Sequence, residues 1–402
     1  MLLSVVAVMS VLSVWSLFAR RLDRWRVTAP MVFVLAGVAV GFTTQDALAG
    51  ALNTQHAQRG AEVILAVLLF IDASDVRGGL FGRDARAAVR MLFVAMPLGL
   101  ALAVALGLWL LPGLSWSAVL IIACVVVPID FAPAAAALRD KRLPERVRNL
   151  LNVEAGYNDG IVSPIFIFAL VLAGDRSHAS TPLAALGAAL PQAVKAILMG
   201  LALGAVLALA TNAAERRNLM TEQSKRLILV AAPLLAYTLS IAVNGNGFVS
   251  AFVCGITYFG LRSRETASRE LELLDDVGVL LTVVMWFVFG AAAVLALSLG
   301  VSAGMVVFCL LALTVVRLIP VLAALLGSRF SWPERLLLGW IGPRGTTSIV
   351  FGLLAFNVLS AEAEKDALLT MVIVVLGSVV MHGIGAPAAA RAFALSQTRM
   401  AS

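Results

Sequence analysis

Leu151-Asn152-Val153-Glu154-Ala155-Gly156-Tyr157-Asn158-Asp159-Gly160 lies inside an apolar segment that runs from about residue 150 to 173. A further acid, Asp130, stands on the preceding apolar segment between Pro128 and Pro133. A carboxylate near the centre of a bilayer costs roughly 2.5 to 3.5 kcal/mol on insertion scales. Acids kept at such positions need a task, and the usual one is handling an ion or a proton.

The chain around these acids is 61% hydrophobic and 13% charged, against the ~25% charged residues of ordinary soluble domains. The expectation is an all-α, polytopic membrane protein. Its 402 residues divide into about thirteen apolar segments, near 1–18, 30–46, 61–74, 88–111, 115–138, 150–173, 190–211, 226–243, 245–260, 276–298, 299–325, 334–358 and 368–390. Most reach the ~20 residues a helix needs to cross hydrocarbon. The second, third and ninth are short, and the boundary at Asn244-Gly245-Asn246-Gly247 is the weakest.

A net charge of +7 invites a nucleic-acid reading, but its distribution argues for topology instead. With this segmentation twenty-four Lys and Arg fall in alternate loops on one side, and only Arg59, Arg176 and Lys365 on the other. Lys195, Arg317 and Arg344 fall within spans. The asymmetry is the positive-inside pattern, which places the N-terminus outside and the C-terminus in the cytoplasm. No nucleic-acid partner is expected. Arg20, Arg21, Arg24 and Arg26 follow the first apolar segment rather than precede it, so that segment reads as a retained helix and not a cleaved signal.

Loops are short, which predicts one membrane domain over 1–402 without a soluble regulatory part. A Gly-rich loop ending in Lys-Ser/Thr is absent, so uphill transport has to draw on another ion gradient rather than on nucleotide hydrolysis. Two spans contain helix breakers beside polar residues: the fifth carries Pro128-Ile129-Asp130-Phe131-Ala132-Pro133, the twelfth Gly342-Pro343-Arg344-Gly345-Thr346-Thr347. Proline frees backbone carbonyls, which a membrane tolerates only where protein or a water-filled cavity satisfies them. If span seven is a connector, both interruptions fall in the fifth span of their half, the pattern of an inverted-repeat transporter with its site near the midplane.

The acids divide by role. Asp159 lies mid-span. Burial favours the protonated form of a carboxylate and a bound cation favours the ionised form, so one such group can trade a proton for a metal ion. Asp130, at an interruption, is placed to join free carbonyls around a cation, since hard cations favour oxygen ligands. Asn158 is neutral: its amide can hold Asp159 in place but cannot carry a proton, which predicts electroneutral exchange. Glu154 is four residues before Asn158 and shares its helical face. A buried arginine stays charged and must be paired, so Glu154 is expected to face Arg317 in span eleven, with Arg344 as the second choice. His382 is a lone intramembrane histidine, read as hydrogen-bonded.

The run Pro128-Ile129-Asp130 followed by Leu138-Arg139-Asp140, and then Leu143-Pro144-Glu145-Arg146-Val147-Arg148-Asn149 leading into Glu154 and Asn158-Asp159-Gly160, resembles the sodium/proton exchanger branch of the monovalent cation/proton antiporters. Gly245 through Val253, Arg317-Leu318-Ile319-Pro320-Val321 and Gly342-Pro343-Arg344-Gly345 extend the resemblance over nearly the whole chain. It implies a homodimer of thirteen-helix protomers, each with a dimerisation part and a six-helix core of spans 4–6 and 11–13, roughly 88–173 and 299–390. It implies further that the cation binds at Asp130 and Asp159, that Asn158 orients the site, that Glu154 pairs with Arg317, and that the core moves like an elevator.

The chain departs from that family's pattern at the site. Ile129 stands where a threonine is common, Phe131 where a proline is, and Ala155 where a serine often follows the glutamate. Two hydroxyl ligands are thereby missing, and the Ile129 main-chain carbonyl is left to stand in. The expected activity is Na⁺/H⁺ antiport in a bacterial inner membrane, with Li⁺ or K⁺ as other substrates and no cofactor. A K⁺/H⁺ antiporter, or a gated cation channel or ion sensor of the same fold, are the alternatives.

Overall fold

The computed structural model describes residues 2–25, 27–52, 54–75, 81–134, 138, 140, 142–173, 182–262, 264–359 and 361–401. Arg26, Arg77, Arg139, Lys141 and Arg176 of the charge count lie outside the described residues. Among the described residues every regular element is helical. In chain order these are α1 (Leu2–Arg24), α2 (Ala29–Leu52), α3 (Gln55–Asp75), α4 (Ala85–Leu110), α5 (Trp116–Val126), α6 (Glu145–Ala173) and α7 (Pro182–Arg216). There follow α8 (Glu222–Ala242), α9 (Gly247–Leu261), α10 (Arg264–Ser298), α11 (Ala303–Ala324), α12 (Trp332–Trp340), α13 (Thr346–Val358) and α14 (Ala361–Ala401).

Eight helices among the described residues are long and apolar enough to cross a membrane, and four shorter apolar ones accompany them. The helices outrun the apolar segments. α10 begins at Arg264 rather than near 276, and α14 reaches Ala401 rather than stopping near 390. A helix keeps its backbone bonds internal, so it continues through charged residues once their side chains reach water. The weak boundary at 244–247 becomes a clean helix start, because the Asn246 Oδ1 accepts from the Phe248 and Val249 amides at 3.0 and 3.2 Å. That is N-capping by asparagine, which satisfies amides the first turn leaves free.

Small residues let the backbones close on one another, as expected where lipid removes most of the hydrophobic drive between helices. α2 and α10 meet this way: a methyl group on Gly37 would run into the Phe287 carbonyl, and one on Gly290 into the Val34 carbonyl. α4, α5, α6, α11, α13 and α14 pack on one another around the two helix interruptions, and α3 and α9 pack onto α6 from the other side. α13 lies deepest, with every residue from Thr346 to Phe356 buried. A helix apolar on all faces belongs inside a bundle, and the start of this one forms the floor of the site.

Candidate functional site

Two unwound pieces of chain cross in the middle of this bundle. α5 stops at Val126, and Pro128–Phe131 continue without helical bonds into a single 3-10 turn, Ala132–Ala134. Opposite, α12 stops at Trp340, and after the Ile341 amide has closed its last turn on the Leu337 carbonyl, 342–345 run extended to the first turn of α13. The Asp130 amide donates to the Pro343 carbonyl at 2.8 Å, joining the pieces by main chain. Each piece also carries one charged side chain that serves the helix end of the other. The Thr346 amide donates to Asp130 Oδ2 at 2.5 Å, which sets a carboxylate on the positive end of α13. Arg344 donates from Nη1 to the Val127 and Pro128 carbonyls, the latter at 2.9 Å, and from Nη2 to the Ala312 carbonyl at 3.4 Å. A guanidinium thus meets the negative end of α5. Gly345 makes the approach possible, because any side chain there would collide with the Asp130 carboxylate.

α6 closes the ring. Asn158 Nδ2 donates to the Ile129 carbonyl at 2.7 Å, and the Thr347 hydroxyl donates to Asp159 Oδ2. Asp130 and Asp159 are thereby drawn to consecutive residues, Thr346 and Thr347, and their charges interact. Asp130 is also held from its own segment, where the Ala132 amide donates to Oδ1 at 2.7 Å. The ring accounts for four sequence candidates, Ile129, Asp130, Asn158 and Asp159. The Ile129 carbonyl is not wholly free for an ion, since one of its two lone pairs takes the Asn158 amide.

Glu154 and Arg317 lie one turn away as a buried two-point pair. Arg317 Nη1 donates to Glu154 Oε1, and Nη2 to Oε2 at 2.9 Å. The same Nη2 reaches the Leu338 and Ile341 carbonyls at 3.0 and 3.2 Å, closing the C-terminal end of α12. Arg344 takes no part in this pair, its partners being the carbonyls of α5 and α11. A cavity of about 20 Å³ touches Glu154, Asn158, Arg317 and Arg344, room for one water. Its outer wall is Ala95, Met96 and Gly99, at the π turn Met91–Ala95 of α4. Such turns recur beside functional sites.

His382 holds the interruption between α12 and α13. The Gly342 amide donates to His382 Nε2 at 3.3 Å, and the Arg344 amide donates to Ser378 Oγ at 2.6 Å. His382 Nδ1 lies 3.2 Å from the Ser378 carbonyl, and Nε2 lies 3.2 Å from the Trp340 carbonyl. Lys195 is not lost to lipid either: its Nζ donates to the Val243 carbonyl at 3.1 Å.

Among the described residues, several buried oxygens at this crossing have no hydrogen-bond partner: Asn158 Oδ1, Asp159 Oδ1, Thr346 Oγ1 and Ser348 Oγ. Buried polar atoms are nearly always satisfied, and a carboxylate or amide oxygen can be satisfied only by a proton donor or a cation. The crossing therefore presents several buried oxygens that its own side chains leave free to accept. The sequence reading did not single out Thr346, Thr347 or Ser378 for a role. The signal available was two hydroxyls directly after a Pro-Arg-Gly break, where the next helix starts and side chains turn toward whatever the break faces.

A model of the transmembrane sodium/hydrogen exchanger family matches residues 6–392. The chain belongs to that family. Among the relatives of this exchanger-family chain, an Na(+)/H(+) antiporter of Schizosaccharomyces pombe is 26% identical over 353 residues, covering 80% of this chain and 74% of that protein. The K(+)/H(+) antiporter NhaP2 of Shewanella sp. (strain MR-4) is 22% identical over 372 residues, covering 90% of this chain and 62% of NhaP2. The fold is that of the sodium proton antiporter MjNhaP1 from Methanocaldococcus jannaschii, with a TM-score of 0.76 at 17% identity, over 95% of this chain and 99% of that one.

Proposed function

We propose that this chain is a membrane antiporter exchanging a monovalent cation, Na⁺ in first place, for H⁺, with Asp159 as the exchanging carboxylate and Asp130 as its co-ligand. The observation that carries the reading is the group of buried, unpartnered oxygens, Asn158 Oδ1, Asp159 Oδ1 and Thr346 Oγ1, at the crossing of two helix interruptions. A cation stripped of water is bound by such oxygens together, whereas a proton needs only one carboxylate oxygen. Asp159 therefore holds one or the other, and that competition couples the two fluxes. The family and the antiporter names of the relatives support it. Asn158 orients the site, Ile129 contributes its main-chain carbonyl, and the Glu154–Arg317 pair is architectural.

The wider arrangement follows the charge pattern and the two interruptions. Thirteen spans, with α12 and α13 as one broken span, put the N-terminus outside and the C-terminus inside, in an inverted repeat. The core, roughly 88–173 and 299–390, moves like an elevator against the remaining spans, which form a homodimer in a bacterial inner membrane. Exchange is electroneutral, because Asn158 carries no charge. A K⁺/H⁺ preference is the second reading, favoured by the NhaP2 relatives and by the apolar Ile129 and Ala155.

The test is a dye-based pH assay in everted vesicles carrying the full chain, with Na⁺, Li⁺ and K⁺ added in turn. Wild-type vesicles should release their proton gradient on cation addition and Asp159→Asn vesicles should not. Absence of any cation response in the wild type, or normal exchange in Asp159→Asn, defeats the proposal.

A further inference from the structure

Neither Thr nor Ser stands beside either acid on its own segment: Asp130 is flanked by Ile129 and Phe131, and the turn before Asp159 offers Ala155, Gly156 and Tyr157, whose ring packs against Phe81 and Phe252. Ser163, one turn after Asp159, is buried, and its hydroxyl donates to the Gly160 carbonyl at 3.3 Å. A cation held only by two carboxylates, an amide and a partly used carbonyl would be short of neutral oxygens. Those oxygens come instead from across the crossing.

We propose that Thr346 and Thr347 are the residues that set cation affinity and selectivity here, Thr347 through the hydroxyl it gives to Asp159 and Thr346 through a buried hydroxyl left free next to the amide that holds Asp130. The inference rests on the exchange reading above. The Thr347 hydroxyl donates to Asp159 Oδ2. Thr346 bonds the Asp130 carboxylate through its main-chain amide, and its buried hydroxyl is left without a partner. Both threonines are 3% exposed. Consecutive residues at a helix start point about 100° apart, which lets neighbours in sequence address two different acids.

The geometry suits a ligand that must serve two occupants. A hydroxyl has one proton to donate and two lone pairs. While Asp159 is ionised, Thr347 donates to Oδ2 and turns a lone pair toward the cation beside Oδ1. When Asp159 holds the proton instead, the same hydroxyl accepts from it. A methyl group can do neither. The segment is held on both sides: Gly345 packs directly against the Asp130 carboxylate, and the Arg344 amide is bonded to Ser378. Replacement of a hydration shell depends on the number and field strength of the protein oxygens. The smaller, more strongly hydrated ions, Li⁺ and Na⁺, lose more than K⁺ when a hydroxyl is removed.

The experiment uses the full chain reconstituted in proteoliposomes, comparing wild type, Thr347→Val, Thr347→Ser, Thr346→Val and Asp159→Asn. Thr347→Val should raise the KM for Na⁺ about tenfold, equivalent to ~1.4 kcal/mol, with the Na⁺-to-K⁺ preference shifted toward K⁺. Thr347→Ser should behave as wild type, and Thr346→Val should shift KM in the same direction as Thr347→Val. Where the valine variant is not recovered in the membrane, Thr347→Ala takes its place against Thr347→Ser. Unchanged KM and ion preference in the variants lacking the hydroxyl, or a Ser variant as impaired as they are, overturns the assignment while leaving exchange by Asp159 intact. Normal exchange in Asp159→Asn instead defeats the exchange reading itself.

Discussion

The Asn158 side-chain amide donates to the Ile129 main-chain carbonyl at 2.7 Å, fastening the residue before one buried aspartate to the residue before the other. The bond spans the crossing and links α6 to the unwound segment after α5 at the level of the two acids. It also gives the Asn158 amide a determinate orientation: nitrogen toward Ile129 and oxygen into the site.

Asn158→Ala should leave the buried Ile129 carbonyl without this donor, at about 1 to 3 kcal/mol. The expected result is a lower thermal midpoint of the purified protein together with weakened cation binding. An unchanged KM for the cation would show that the Asn158 oxygen has no place in the site.

The Glu154–Arg317 pair should behave as architecture. Removing one partner of a buried pair typically costs about 3 to 5 kcal/mol, because the other charge is stranded. Glu154→Gln is therefore expected to lower yield and thermal stability sharply. Arg317→Lys alone should also be destabilising, since a lysine cannot fork to Glu154 while also reaching the Leu338 and Ile341 carbonyls. A double-mutant cycle on thermal stability measures the coupling, and a value near zero would contradict the pairing.

Arg344→Met should unfasten the negative end of α5 by stranding the Val127, Pro128 and Ala312 carbonyls. At about 1 to 3 kcal/mol for each buried unsatisfied group, the variant should be poorly folded and inactive. The thermal midpoint of the purified protein provides the readout, and a wild-type midpoint would refute the role.

Away from the site, Arg262 bonds Glu270, Glu215 Oε2 at 2.8 Å and Asn212 Oδ1 at 2.5 Å, and Lys225 bonds Glu215 at 2.6 Å. This network ties the ends of α7, α8 and α9 to α10. Glu270→Gln should cost stability, by up to about 3 to 5 kcal/mol, without altering the KM for the cation. A changed KM at normal stability would place the network in transport.

Electroneutral exchange has its own consequence. An imposed membrane potential should leave the wild-type rate unchanged, because the translocating site carries one exchangeable charge in either state. Potential-driven acceleration, read with the same pH dye, would mean that a second group titrates.

Much of this was legible without coordinates. Thirteen apolar segments, the basic loops and the two proline-bearing interruptions are visible along the chain, because hydrocarbon thickness and the missing proline amide act on runs of neighbouring residues. The mid-span acids could be read the same way, since a charge in an apolar run needs no partner to be conspicuous. The choice between Arg317 and Arg344 for Glu154 could not be made so, nor could the roles of Thr346 and Thr347.

Composition and local pattern were sufficient to determine a helical membrane protein, its candidate acids and the places where its helices break. The partners across the crossing were decided by tertiary structure alone: Thr347 to Asp159 over 188 residues, Thr346 to Asp130 over 216, and Arg317 to Glu154 over 163. Those contacts depend on the register and rotation of helices packed against one another. A shift of one residue turns a helical side chain by about 100°, and no run of adjacent residues encodes that angle.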